Sequence, residues 1–281
     1  MKDFSLELNN GILGLIGPNG AGKSTLMRIL ATISRPSEGK VRLNGTDIVK
    51  SPDAVRKVLG YLPQDFDIYP NLTAIEFLTY IAAIKGLTGK GTKNRIEALL
   101  EELNLTAVRN RPVGTYSGGM KQRIGIAQVL IGDPKLLILD EPTVGLDPEE
   151  RVRFRNLLTD LSGERIVILS SHIVSDIETI ANNIAIIYQG RVLKHNFPDA
   201  MLNAVVNQVY EATVSEEELE GFRNKYLVIS VMKRADAWVA RFVLNPGDQA
   251  PTVPVRSVKG TLEDSYLYEI ISAKRGGQHD A

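Results

Sequence analysis

Residues 17–24 read Gly-Pro-Asn-Gly-Ala-Gly-Lys-Ser. This is a complete G-x-x-x-x-G-K-[ST] phosphate-binding loop, and it constrains the fold more than any other stretch. Gly11-Ile12-Leu13-Gly14-Leu15-Ile16 before it is an apolar run of strand length, and Thr25–Leu30 after it reads as the first turns of a helix. Glycines allow successive N–H groups to curl into one concavity, and the loop opens onto a helix N-terminus, which favours an anion. Gly17, Pro18, Asn19, Gly20, Ala21, Gly22, Lys23, Ser24 and Thr25 are therefore candidate phosphate contacts. Lys23 is placed to reach the outer phosphates of a nucleoside triphosphate, and the Ser24 hydroxyl is a candidate Mg²⁺ ligand.

The chain alternates strand-like and helical stretches on either side of this loop. Phe4–Leu8 alternates apolar and polar residues, as a half-buried strand does. Lys40–Gly45 reads as a strand ending in a turn, and Leu59–Gln64 as a short strand stopped by a proline. From Leu72 to about Gly132 the pattern turns helical, with Ile96, Leu99, Leu100 and Leu103 on one face. Strand signals return at Lys135–Glu141 and Arg165–His172, separated by a charged helix over Glu149–Leu161. Ile184–Tyr188 and Arg191–Lys194 flank Gln189-Gly190 as a β-hairpin. The expected class is α/β with a mainly parallel sheet and a helical insert at about 66–134. A different pattern follows Asn196: strand-like runs at Val209–Val214, Leu227–Met232 and Trp238–Leu244, a helix start at Glu216, and a closing helix over Thr261–Ser272. Trp238 and Tyr266 read as core residues, and the polar tail after Lys274 as disordered.

Further stretches bear on chemistry. Leu136–Glu141 is a buried-type strand ending in two carboxylates. Asp140 suits the metal side of a phosphate-loop enzyme, and Glu141 could polarise an attacking water. Taken alone, Tyr116–Arg123 is an ordinary helix cap with a flexible entry, though Ser117, Gly118 and Gly119 could bind anionic oxygens. Gln64, after a proline at a strand end, can reach a metal or water. His172 ends another strand, where a neutral imidazole could donate to a γ-phosphate.

The order Gly17–Ser24, Gln64, Ser117–Gln122, Leu136–Glu141, Gly145-Leu146-Asp147, His172 resembles the ATP-binding-cassette (ABC) ATPase family over roughly residues 1–194. It is most similar to the ATPase subunits of multidrug, antibiotic and lipid-like exporters, which carry a C-terminal extension with a segment like Leu262-Glu263-Asp264. The resemblance implies a phosphate-loop nucleotide-binding domain over 1–195, with its helical insert, and a small α+β accessory segment over 196–281. It implies ATP and Mg²⁺ as cofactors. Lys23 and the loop amides would hold the β- and γ-phosphates, and Thr25 would lie near the α-phosphate. Ser24 and Gln64 would meet Mg²⁺, with Asp140 acting through water. Glu141 would be general base and His172 the γ-phosphate sensor. Ser117–Gly119 would complete the site from a second subunit, with Asp147 at the seam. The implied partners are an integral membrane permease, contacted through Gln64 and 65–73, and a second ATPase chain in a homodimer or heterodimer. The implied place is the cytoplasmic face of the cell membrane. Family members usually carry an earlier strand whose aromatic residue stacks on adenine. Phe4 is the only aromatic before the loop and reads as core, so the chain is expected to start short of its natural beginning.

Composition narrows the alternatives. Lys+Arg and Asp+Glu number 33 each over 281 residues, so no basic excess points to nucleic acid. There is no cysteine, which excludes disulfides and thiolate chemistry. No run approaches the roughly 18–20 apolar residues that span a bilayer, and no signal-peptide core follows Lys2 and Asp3, so any membrane role would run through a partner. The rival readings are a soluble ABC-type ATPase in DNA repair or translation and a phosphate-loop kinase. The first usually carries a coiled-coil insertion or two cassettes in one chain; the second has no need of Ser117–Gln122.

Overall fold

A computed structural model describes residues 1, 4–234, 237–245 and 247–276. The elements in chain order are β1 (Gly11–Ile16), α1 (Lys23–Leu30), β2 (Arg42–Leu43), β3 (Thr46–Asp47), α2 (Pro52–Arg56) and β4 (Leu59–Leu62). Then come α3 (Ala74–Ile84), α4 (Lys90–Glu102), α5 (Gly118–Leu130), β5 (Leu136–Asp140), α6 (Pro148–Leu161), β6 (Ile166–Ser171), α7 (Val174–Glu178), β7 (Asn183–Tyr188) and β8 (Arg191–Asn196). The chain closes with α8 (Pro198–Asn203), β9 (Val209–Val214), α9 (Glu216–Lys225), β10 (Leu227–Arg234), β11 (Ala237–Val243), β12 (Val255–Ser257) and α10 (Leu262–Gly276).

The main sheet runs β4-β5-β6-β1-β7-β8. All its pairings are parallel except β7–β8. Its strands are near-continuous apolar runs because both faces are covered. One face, with Ile12, Ile16, Leu137, Leu139, Val167, Leu169, Ile184 and Ile186, packs under the helices of the insert and under Phe154, Leu158 and Ile177. The other, with Leu13, Leu15, Ile138, Ile168 and Ile187, packs on Leu26, Met27 and Val55. The hairpin turn at Gln189-Gly190 has positive φ at both residues (48° and 77°), the backbone that lets two strands turn back tightly.

The helical insert forms where the 3.6-residue pattern puts it. Thr73 and Glu76 make a reciprocal capping box at the start of α3. Ile96, Leu99 and Leu100 of α4 are buried.

A second sheet, β10-β11-β9-β12, is antiparallel, and Leu219 and Phe222 of α9 pack in its core with Phe242 and Tyr226. It does not stand apart. Leu262 and Ile270 of α10 are buried in the core of the main sheet, with Tyr266 packed against it. Lys194 pairs with Glu269 at 2.5 Å, and Ser265 Oγ donates to Met201 O at 3.0 Å. At the start of α10, Arg241 of β11 forks onto Asp264 at 2.8 and 2.6 Å. Burial alone would raise the Asp264 carboxyl, but the Arg241 guanidinium and the N–H and hydroxyl of Thr261 outweigh it and hold it below the usual range. The fork ties the second sheet to the start of α10.

Three segments that the sequence reading assigned differ in the structure. Phe4–Leu8 is not a strand: Phe4, Leu6 and Leu8 pack on the second core in alternation, but the segment has no ladder partner among the described residues. The expected strand at Lys40–Gly45 shrinks to Arg42–Leu43, because Asn44 and Gly45 adopt positive φ (48° and 81°) and turn the chain straight into β3. The tail after Lys274 begins inside α10, which runs to Gly276 because its polar residues prolong a helix anchored on the core; the disorder expected beyond falls on 277–281, outside the described residues. Trp238 and Tyr266 are both partly buried against core clusters, as expected.

Candidate active site

The sheet order places β1 between β6 and β7, with β5 on the far side of β6, so three adjacent parallel strands end side by side. Ile16 is in register with Ser171, and Asp140 with Ser170. The loops leaving these carboxyl ends carry the phosphate loop, the carboxylate pair and the histidine. Ligands of open α/β sheets bind at such a switch in strand order.

The phosphate loop has the backbone its glycines require. Gly20 and Gly22 have φ of 78° and 107°. A Cβ on Gly17 would lie 2.2 Å from the Ile187 carbonyl oxygen, so only glycine fits under the neighbouring strand. Gly22 caps α1, whose first turn holds Lys23, Ser24 and Thr25. N–H groups in a first helical turn have no partner within the helix and point at any anion seated there. Gly17 and Ala21 are buried, Pro18, Gly22 and Ser24 half-buried, and Asn19, Gly20 and Thr25 exposed.

Lys23 is buried, and its Nζ donates to Gly17 O at 2.7 Å and Pro18 O at 3.4 Å. Burial pushes its ammonium below the usual range, while the charges of Glu141 and Asp140 pull it back up. The register of β1 and β5 against β6 brings the loop that carries the lysine and both carboxylates to one edge of the sheet.

Asp140 is the last residue of β5 and 2% exposed. Its Oδ1 accepts from Ser170 Oγ at 2.6 Å, and the same Ser170 oxygen accepts from Glu141 N at 2.9 Å. One hydroxyl thus fixes both acidic residues. Glu141 sits at φ 50°, unusual for a side chain of its size and held by that bond. The Glu141 carboxylate meets His172 Nδ1 at 2.5 Å, and the His172 side chain is 53% exposed against 8% for Glu141. A buried acid therefore meets a half-exposed histidine, a pairing that suits proton transfer.

The remaining expected residues lie apart. Gln64 is exposed and lines an open concavity with Phe66, Gly118, Lys121 and Gln122; Lys23, Ser24 and Asp140 are not among its walls. Ser117 caps α5, its Oγ accepting from Met120 N at 3.3 Å. Gly119 packs against Glu150 and Gly145. The structure thus brings Lys23, Asp140, Glu141 and His172 together and leaves Ser117–Gly119 beside the Gly145–Asp147 turn. Asp147 caps α6 by accepting from Glu150 N at 2.9 Å. Sequence reasoning missed Ser170, whose only signal was the polar end of its strand.

The oxygens on offer from Ser24, Gln64 and Asp140 are hard donors that suit Mg²⁺. Among the described residues no group of three or more His, Cys, Asp or Glu forms a metal cage. No described helix is long and apolar enough to cross a membrane.

Residues 1–144 match the family model described as "ABC transporter". The chain is 38% identical over 221 residues to ABC transporter A family member 8 of Dictyostelium discoideum, covering 78% of this chain and 26% of that one. It is 35% identical over 218 residues to daunorubicin resistance ATP-binding protein DrrA2 of Streptomyces coeruleorubidus, covering 77% of this chain and 68% of the relative. Several curated relatives are much longer than the stretch they share with this chain, which spans well under half of them. Among solved structures, a dimeric ATP-binding cassette in a post-hydrolysis state with ADP and phosphate superposes with a TM-score of 0.62 at 25% identity, covering 68% of this chain and 88% of that one.

Proposed function

The chain belongs to the ABC transporter family, and from that premise we propose that it is the ATP-hydrolysing subunit of an exporter, driving a separate membrane permease by closing head-to-tail with a second ATPase chain. The observation that carries the catalytic part is the cluster of Lys23, Asp140, Glu141 and His172 at the ends of β1, β5 and β6, organised by Ser170. Lys23 exchanges its Gly17 carbonyl for the β- and γ-phosphates, joined by the N–H groups of the loop and of the first turn of α1. Thr25 lies toward the α-phosphate. Ser24 would hold Mg²⁺, joined by Asp140 and by Gln64 once it leaves the concavity it lines here; when bound, the ion would supply charge neutralisation on the phosphate oxygens. Glu141 accepts the proton of the attacking water. His172, released from Glu141, donates to the γ-phosphate. Positioning and fixed charge supply most of the rate enhancement in phosphoryl transfer.

Ser117–Gly119 lie beside the Gly145–Asp147 turn, and that neighbourhood supports the head-to-tail arrangement. The dimeric state of the solved relative and the drug-resistance name of the Streptomyces protein support the dimer and the export direction. In this reading residues 1–195 form the nucleotide-binding domain, with its insert at about 66–134, and residues 196–281 the accessory segment. The exposed Gln64 and the loop that follows meet the permease at the cytoplasmic membrane face.

Two outcomes test this reading. Asp140→Asn should raise the Mg²⁺ concentration needed for half-maximal hydrolysis, and an unchanged metal titration would reduce Asp140 to a structural role. The tagged chain, expressed in its native cell, should sediment with membranes and come off in an alkaline carbonate wash. Recovery only in the supernatant would contradict a permease partner.

A further inference from the structure

The first turn of α6 joins parts of the site that lie far apart in sequence. Glu150 and Arg151 are consecutive residues that reach in different directions. Glu150 Oε1 pairs with Arg123 Nη2 of α5 at 2.7 Å, both side chains largely buried, and its carboxylate lies against Gly119. Arg151 Nε donates to Leu146 O at 3.2 Å, and its Nη1 stands 3.6 Å from Asp176 Oδ2. Asp176 is in α7, four residues after His172. Its side chain is 6% exposed, and that oxygen has no hydrogen-bond partner among the described residues. One turn further along α6, Arg155 Nη1 donates to Thr179 Oγ1 at the end of α7, at 3.1 Å. The short link from His172 to α7 is itself fixed, since Ile173 N donates to Ser171 Oγ at 2.9 Å.

We propose that Arg151 is a positioning residue for hydrolysis: it ties the Leu146–Asp147 turn beside Gly118–Gly119 to the segment that carries His172. Ordering the glycine loop and placing the histidine then become one event. This rests on the functional reading above, in which both stretches act on bound ATP. Arginine is the side chain the geometry asks for, because it spans a carbonyl and a carboxylate with separate N–H groups; lysine carries the charge without the fork. At 3.6 Å the contact with Asp176 is too long for a hydrogen bond, so it is not built for maximal stability and has room to shorten when the turn is pressed by a partner. A buried carboxylate with one distant cation also makes α7 sensitive to where Arg151 sits.

The test compares Arg151→Lys, Arg151→Met and the double variant Arg151→Met/Asp176→Leu in the full chain. It measures melting temperature, KM for ATP and kcat, with Glu141→Gln in parallel. Arg151→Lys should fold, keep its KM and lose roughly three- to thirtyfold in kcat, the range of coupling effects from residues that touch no ligand. Arg151→Met should also melt early, because it strands Asp176. The double variant should regain the melting temperature and stay slow. If kcat recovers together with melting temperature, or if Arg151→Lys turns over normally, Arg151 is only a structural staple and the proposal falls. If Glu141→Gln also turns over normally, the catalytic assignment has failed and takes the coupling with it. Loss of turnover in Glu141→Gln beside a normal Arg151→Lys removes the coupling alone.

Discussion

Replacing Glu141 by glutamine is expected to lower ATP turnover by about 10²–10⁴-fold, the usual worth of a positioned general base. The substitution keeps the shape of a side chain that is 8% exposed, and the bond to Ser170 Oγ uses only the backbone N–H of Glu141. Folding should therefore be preserved. What changes is the acceptor facing His172: a carboxylate oxygen 2.5 Å from Nδ1 becomes an amide that cannot take a proton from water. The affinity for ATP should hold, because Glu141 is assigned no part in binding the phosphates. Turnover within about threefold of wild type would transfer the role of base elsewhere and leave the Glu141–His172 pair a structural contact.

The second large effect is expected at Lys23. In Lys23→Ala, turnover should fall by about 10²–10³-fold, as when one fixed donor to a developing charge is removed. ATP affinity should fall as well, since the ammonium would meet ground-state phosphates too. The protein should stay folded. The ammonium is buried against carbonyl oxygens, and its burial opposes its charge, so the fold gains little from keeping it there. Steady-state kinetics with circular dichroism separates the two effects. Near-normal turnover with a normal melt would remove the phosphate loop from the account.

Local signals carried the centre of this fold. The loop at Gly17–Ser24 demands positive-φ glycines and a helix start, and its neighbours alone supply both. Apolar runs such as Leu136–Leu139 mark strands buried on two faces, whatever they pair with. The pairing itself was not legible. Phe4–Leu8 has the alternation of a strand and packs as one, yet forms no ladder among the described residues, because strand identity depends on a distant partner. β12 (Val255–Ser257) went unseen because it is exposed and short. The site divides in the same way. Asp140, Glu141 and His172 stand out at strand ends by residue type, and Lys23 by its place in the phosphate loop. Ser170 does not, since its bond to Asp140 exists only through the register of β5 with β6. Arg151 and Asp176 were equally silent: a charged helix face looks solvated until α7 is laid beside it.

The central claim is that two copies of this ATPase fold close on ATP, with Ser117–Gly119 of one chain completing the Lys23–Glu141 site of the other. Light scattering on Glu141→Gln, with and without ATP and Mg²⁺, tests it most directly, because the variant should bind ATP and not consume it. The expected result is a monomer mass without nucleotide and twice that mass with ATP, reverting when Ser117→Arg blocks the exposed face of the glycine loop. A monomer at saturating ATP, in a variant shown to bind it and with the membrane partner supplied, would contradict the claim.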